Sequence, residues 1–296
     1  MPGCIRQTAG REVIAVDANS SGDSKRGYLI GDFAFFHLSD MKNTQFEYHY
    51  HDFNKILVFI SGNVTYLIEG NAYRLKPWDI LFVSSSELHK PVIDPCVMYE
   101  RIVIWVNPGF LSSHSRDWDL FTCFSLTNGK NNLLRLDGKI LEYARTLCTR
   151  LEEACKSKEF GSSLLKNSIF LQLIVVLTRE LLKDSRNDDI EDIIHDKYIR
   201  NILDFINENL KDELTIDSLA ARFYMSRYHL MHKFKQLTGY PVHSYILQKR
   251  LIKADTLIKS GLPSMQACEQ CGFNDYSNFV RSYKKLFGVS PRNRLK

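Results

Sequence analysis

The sequence predicts an α+β chain of two domains: an N-terminal β-barrel followed by helices, and a C-terminal all-α domain with two helix-turn-helix motifs. Three observations lead there. Between Tyr28 and Val106, short runs rich in β-branched and aromatic residues alternate with turn chemistry. Between Leu214 and Pro291, a pattern of helix, tight turn and second helix is written twice. Charge is also uneven, with 17 Lys/Arg against 8 Asp/Glu in residues 197–296, a net +9 inside an overall +5. A basic half joined to a mildly acidic half fits a nucleic-acid module attached to something else.

Taken in order, residues 1–27 read as a polar lead-in, Gly/Ser-containing around Asn19 to Ser24. Met1-Pro2-Gly3-Cys4-Ile5-Arg6 lacks the apolar core of a secretory signal. No apolar run reaches the length of a membrane span, so no membrane partner is expected. Seven scattered cysteines, an odd number without a framework, fit a reducing cytoplasm. Residues 28–137 form the barrel. Lys55–Ile60, Asn63–Ile68, Asp79–Val83 and Arg101–Val106 are its clearest strands, punctuated by Ser61-Gly62, Glu69-Gly70-Asn71 and Lys76-Pro77-Trp78-Asp79.

Residues 138–183 turn helical. Ile140, Tyr143, Ala144, Leu147 and Leu151 recur at three- and four-residue spacing, and Gly161 breaks the run. The second helix, Ser163 to Lys183, is apolar nearly all round over Ile169–Leu177 and must be buried on more than one side. Its cover is either its own barrel alone or a second copy as well. A charged linker, 184–194, leads into the C-terminal domain, 195–296, whose first helix is marked by Tyr198, Ile202, Phe205 and Ile206.

Within the repeat, an offset of 49 takes Ser226 to Asp275, Leu230 to Phe279, Phe234 to Tyr283, Lys235 to Lys284 and Gly239 to Gly288. Ser226 and Asp275 are residue types that cap a helix N-terminus. Leu230 with Phe234, and Phe279 with Tyr283, fall at i, i+4 and bury one face of each second helix, leaving polar donors on the other. Gly272-Phe273-Asn274-Asp275-Tyr276-Ser277-Asn278-Phe279-Val280-Arg281, then Tyr283-Lys284-Lys285-Leu286-Phe287-Gly288-Val289-Ser290-Pro291, closely resembles the C-terminal signature of AraC/XylS-family transcription regulators. That resemblance covers about the last hundred residues. The order His49-Tyr50-His51, Gly62, Gly70, Pro77-Trp78-Asp79 and His89 resembles the cupin-like sensor barrel of many such regulators. Together they imply double-stranded DNA and a small-molecule effector, often a sugar, as partners. They also imply a homodimer, and activation through RNA polymerase.

For the first reading helix, Tyr228, Met231 and His232 are expected to face base edges, with Arg227 and Lys235 on phosphates. For the second, Tyr276, Ser277 and Arg281 face bases, with Asn274 and Lys284 on the backbone; Arg281 can bond bidentately to guanine. Arg292, in Pro291-Arg292-Asn293-Arg294, adds a phosphate contact. The joining helix, Val242 to Lys259, spans about 27 Å, enough to set the reading helices toward successive groove turns about 34 Å apart. Cys268 and Cys271 read as core, since no second Cys/His pair lies at metal-binding spacing.

In the barrel, His49 and His51 on one strand share a face, and His89 from a later strand brings a third imidazole. Three imidazoles suit a transition metal. Catalytic cupins usually add a glutamate four residues after the second histidine; here that position is Lys55, a cation that opposes a metal, and no cofactor is expected. His49, His51, Lys55, Tyr66 and His89 instead suit a hydroxylated or anionic effector, or the histidines merely satisfy local polar groups. No catalytic triad, phosphate-cradling loop or carboxylate pair stands out, so an enzyme is not expected. Two alternatives stay open: a metal-dependent cupin enzyme fused to a DNA-binding module, and a constitutive DNA binder whose barrel only dimerises.

Overall fold

The computed structural model describes residues 29, 31–41, 49–51, 53–85, 87–127, 131–184, 193–194 and 197–294. The lead-in over 1–27 lies outside them, as does most of the linker expected over 184–194. Two compact units divide the chain after Ile194, the first comprising the residues before it apart from 69–71.

In the first unit, β1 (Phe33–Asp40), β7 (Tyr99–Val106), β2 (Asn54–Ser61), β5 (Ile80–Val83) and the two-residue β8 (Leu133–Leu134) form one five-stranded sheet in that order. A four-stranded sheet runs β6 (His89–Ile93), β3 (Val64–Ile68), β4 (Asn71–Arg74) and β9 (Ile193–Ile194). The pairings given in register are antiparallel, with β1 and β7 matched from Phe33↔Val106 to Asp40↔Tyr99.

Strand alternation sorts β2 onto two cores. Ile56 and Val58 join a cluster with Leu147, Leu151, Phe170 and Leu173 of the helices, whereas Leu57 and Phe59 join Tyr66, Tyr73, Leu81 and Val103 between the sheets. The helices are α3 (Gly138–Lys156) and α4 (Ser162–Asp184), separated near Gly161 as the sequence indicates. Two short helices inside the expected barrel segment were not anticipated: α1 (Pro108–His114) and α2 (Thr122–Thr127). α1 begins where Asn107 caps it, its side chain accepting the Gly109 N–H at 2.8 Å, with proline in the first turn.

The Pro77-Trp78-Asp79 turn departs from the glycine-containing form common in cupins, and Trp78 takes φ +72°. Neighbours hold this unfavourable conformation. The Arg145 guanidinium stacks 4.4 Å over the Trp78 ring, and buried Asp79 accepts from Arg135 at 2.9 and 3.1 Å and from the Lys76 N–H at 2.8 Å.

The second unit is helical: α5 (Lys197–Glu208), α6 (Ile216–Arg222), α7 (Arg227–Thr238), α8 (Val242–Lys259), α9 (Ser264–Gln270), α10 (Tyr276–Phe287) and a 3-10 turn at Pro291–Asn293. Ser226 caps α7 through the His229 N–H, and Asp275 caps α10 through the Asn278 N–H. Gly239 and Gly288 end those helices at φ +77° and +76°. Leu230, Phe234, Phe279 and Tyr283 are wholly buried.

The repeat is not of constant offset. The second helices α7 and α10 keep the 49-residue spacing, but α6 and α9 begin at Ile216 and Ser264, one residue closer. The second turn therefore holds an extra residue. Tyr224 (φ +52°) and Gly272 (φ +76°) occupy matching left-handed positions just past the first helices. Among the described residues no helix is long and apolar enough to cross a membrane.

Candidate nucleic-acid interface and effector pocket

Burying one face of α7 leaves Arg227, Tyr228, His229, Met231, His232 and Lys235 exposed on the other. Tyr228 and His232, one helical turn apart, stack with centroids 6.0 Å apart and planes at 19°. Arg227 pairs with Asp217 at 3.1 Å, and both are mostly exposed, so the pair is weak and opens readily to another anion. On α10, Ser277, Arg281 and Lys284 are exposed, as are Asn274 before it and Arg292 beyond it. Arg281 donates to the Asn278 side-chain oxygen one turn earlier, which holds the guanidinium along the helix face.

Tyr276 differs from its neighbours. It is half-buried, its hydroxyl shares a 2.8 Å hydrogen bond with Ser264 Oγ, and its ring lies 5.9 Å from Phe279. It ties α10 to α9, a packing role that the sequence reading did not assign. Arg294, grouped in sequence with the phosphate-contacting Arg292, is drawn inward. It forks onto Asp255 of α8 at 2.7 and 3.1 Å. Asp255 also accepts from Tyr283 at 2.5 Å and pairs with Lys259 at 3.1 Å. Burial pushes its carboxyl up, but Arg294, Tyr283 and Lys259 outweigh burial and hold it below the usual carboxylate range. Cys268 and Cys271 are buried as core residues.

In the first unit, all five expected effector-site residues converge between the sheets. Lys55 points inward from β2, Tyr66 from β3 and His89 from β6, with His49 and His51 beside them. His49 and His51 do not lie on one regular strand. His49 forms an isolated bridge, its N–H donating to the His89 carbonyl at 3.0 Å and its carbonyl accepting the His89 N–H at 2.9 Å. The rings still gather, with His49 4.4 Å from His89 and 5.0 Å from His51, and His51 5.2 Å from His89. Phe53 stacks on His51 at 4.5 Å.

Lys55 Nζ lies 2.6 Å from Tyr66 Oη and 3.2 Å from His89 Nε2. His89 Nδ1 is 2.9 Å from the Glu87 carbonyl. An N–H must be on Nδ1 to make that bond, which leaves the Nε2 lone pair facing Lys55. Burial lowers the Lys55 pKa to about 7, helped by the Arg101 cation. Burial, with Lys55 and His49, lowers His51 to about 2, and the same causes take His89 well below the imidazole range. Tyr66 is pushed well above its ordinary value, chiefly by burial. The cluster thus sets the neutral imidazoles of His51 and His89 and the phenol of Tyr66 around Lys55.

The three histidines' ligand atoms lie within 4.8 Å of one another, a spacing from which a metal could be enclosed. Lys55 argues against it, because its nitrogen already occupies the space before the His89 lone pair.

Sequence reasoning missed Arg101. It is buried on the inward face of β7, donates to the Tyr99 carbonyl at 3.0 Å and pairs with Asp40 at 3.0 Å. The signal was available: within Tyr99–Val106, Arg101 shares the inward phase with Tyr99, Val103 and Trp105.

Residues 33–174 match the family described as the AraC-like ligand binding domain, and residues 219–296 match a helix-turn-helix domain. The chain is 25% identical over 261 residues to the HTH-type transcriptional activator RhaS of Escherichia fergusonii, covering 83% of this chain and 86% of the relative. It is 24% identical to the RhaS of Salmonella schwarzengrund, over 84% and 87% of the two chains. Among solved structures, ToxT from Vibrio cholerae aligns over 90% of this chain and 98% of its own, at 16% identity and a TM-score of 0.36.

Proposed function

Because this chain belongs to the AraC family of transcription regulators, with a ligand-binding domain ahead of a DNA-binding helix-turn-helix domain, we propose that it activates transcription in response to a small polyhydroxylated effector, a sugar, bound by the barrel. One observation carries the effector reading. Five polar side chains from three strands and their flanking segment meet inside the barrel, next to its apolar core. Such a cluster suits a hydroxylated guest that exchanges hydrogen bonds with it. The effector shifts the regulator only by binding one of its arrangements better than another.

The working division is a barrel over 28–137, a helical dimerisation segment over 138–183, a linker over 184–194 and a DNA-binding domain over 195–296, acting in the cytoplasm on DNA and RNA polymerase. Dimerisation is supported by α4. Leu164, Val175 and Leu182 are exposed, and with half-buried Leu171 they recur at seven- and four-residue spacing, a coiled-coil-like stripe.

The test is binding of purified protein to labelled DNA upstream of its own and neighbouring genes, across a salt series and a panel of sugars. Selective binding altered by a sugar is the expected result. Selective binding unmoved by any sugar leaves the regulator and removes the effector class; absence of selective binding overturns the proposal. Arg281→Ala should relax preference at one base position and cost roughly 1–3 kcal/mol. Lys284→Ala should weaken all sequences alike and lower the salt slope by about one.

A further inference from the structure

We infer that Lys55 is a nucleophile that condenses with the carbonyl group of the effector, an aldehyde or the open-chain form of a small aldose, to hold it as an imine inside the barrel. This rests on reading the histidine–lysine–tyrosine cluster as the effector site, and it adds the chemical class of the guest and a covalent mode of capture.

The starting point is a lysine with no counter-charge among the described residues. Lys55 is buried on the inward face of the central strand β2, and its hydrogen-bonding partners among the described residues are a phenol and an imidazole, with no carboxylate. The other cation on that face, Arg101, has Asp40 as its own partner. An ammonium held against neutral rings and beside a second cation tends to lose its proton, and the amine that remains has a free lone pair. A lysine in such a position is poorly suited to structure and well suited to attack on a carbonyl.

The neighbours supply the proton handling. The lone pair of Lys55 forms a bond to the carbonyl carbon while the π pair moves to oxygen. His89 Nε2, whose lone pair is fixed toward Lys55 by the Nδ1–H bond to the Glu87 carbonyl, relays one proton from the lysine nitrogen to the alkoxide, giving a carbinolamine and leaving the imidazole neutral. Tyr66 Oη, 2.6 Å from Nζ, is placed to donate a proton to that hydroxyl as it departs as water and to recover one from the iminium nitrogen. One water leaves, one carbon–nitrogen double bond remains, and no oxidant or reductant is consumed. His49 and His51, half-buried beside Lys55 and His89, line the space where the hydroxyls of the guest would sit. His51 Nδ1 is a buried nitrogen with no hydrogen-bond partner among the described residues, so it is open to one of them.

The full-length protein is incubated with glycolaldehyde and sodium cyanoborohydride, which reduces an imine to a stable secondary amine, and the modified lysines are mapped by peptide mass spectrometry. The expected result is one addition, at Lys55, about tenfold or more faster than at the exposed Lys284 and Lys285. Tyr66→Phe should slow trapping by at least about tenfold. Modification of the surface lysines with the Lys55 peptide untouched overturns the inference. A parallel melting series with sorbitol, which has no carbonyl, separates the two readings. Stabilisation by sorbitol without trapping keeps the pocket and removes the imine; neither effect removes both.

Discussion

Single residues set limits that can be tested one at a time. Gly272 sits at φ +76°, and a Cβ there would lie 2.6 Å from the Leu210 carbonyl oxygen and 2.7 Å from that of Lys211. Gly272→Ala therefore meets both backbone strain and a backbone clash, and should cost about 2 kcal/mol or more in denaturant unfolding. Its counterpart Tyr224 takes the same left-handed conformation with its side chain 97% exposed. Tyr224→Gly should gain about 0.5–1 kcal/mol by relieving strain where no packing is lost. Opposite signs at matching positions are the prediction; equal signs would show that the turns are not equivalent. In the barrel, His51 stays neutral in the folded protein down to about pH 2 but takes up a proton below about 6.5 when unfolded. The unfolded state binds more protons across that window, so stability falls as pH falls, by at most about 1.4 kcal/mol per pH unit for each such histidine. Urea midpoints should drop from pH 7 to pH 5, and His51→Gln should flatten the drop. A flat wild-type profile would show that the imidazole is not desolvated. Lys55 acts at the other end: its pKa near 7 against an ordinary 10.5 means stability rises with pH through that interval. Chemistry-bearing residue types were legible in the sequence here, because alternation along β2 and β7 fixes which side chains point inward. Grouping Lys55 with Tyr66 and His89 was legible too, but not the hydrogen bonds that join them, since both reach it from the other sheet.

At the level of elements, legibility followed length. Long periodic segments such as α3, α4 and α8 and the strands β2 and β7 declare themselves through spacing. α1 and α2, at seven and six residues, are too short for a period to emerge, and β8 is two residues whose strand character comes from pairing with β5. The added residue in the second turn escaped notice because the repeat is clearest over the second helices, which keep a single offset. The bond set of Asp255 was hidden for another reason: Tyr283 and Arg294 lie 28 and 39 residues along the chain. It joins α8 to α10 and to the C-terminal turn, so Asp255→Ala strands Arg294 in a partly buried position and should cost about 3 kcal/mol. Loss of well under 1 kcal/mol would show that water substitutes for the carboxylate. The stripe on α4 predicts association: Val175→Glu together with Leu182→Glu should shift a dimer to monomer in sedimentation. A chain already monomeric at working concentrations would remove that face from consideration.

For the molecule as a whole, the architecture was the most legible feature, because it depends on class of pattern and not on particular contacts. A strand-rich half, a helical segment and a duplicated helix pair all follow from periodicity, turn residues and charge. What pattern could not supply is the order of strands in each sheet. That order has a consequence in time. β1 closes against β7, and the partner of Phe33 is Val106, roughly 70 residues further on; at ribosomal rates of about 5–20 residues per second the first strand waits several seconds for its neighbour. The edge of β5 waits a shorter time, for Leu133 and Leu134 roughly 50 residues further on. The helices of the second unit pack largely on sequence neighbours and need no such delay. A nascent chain thus carries an unpaired, apolar first strand through about a quarter of its synthesis, and overexpression in the absence of chaperones should fail first in the half that is made first.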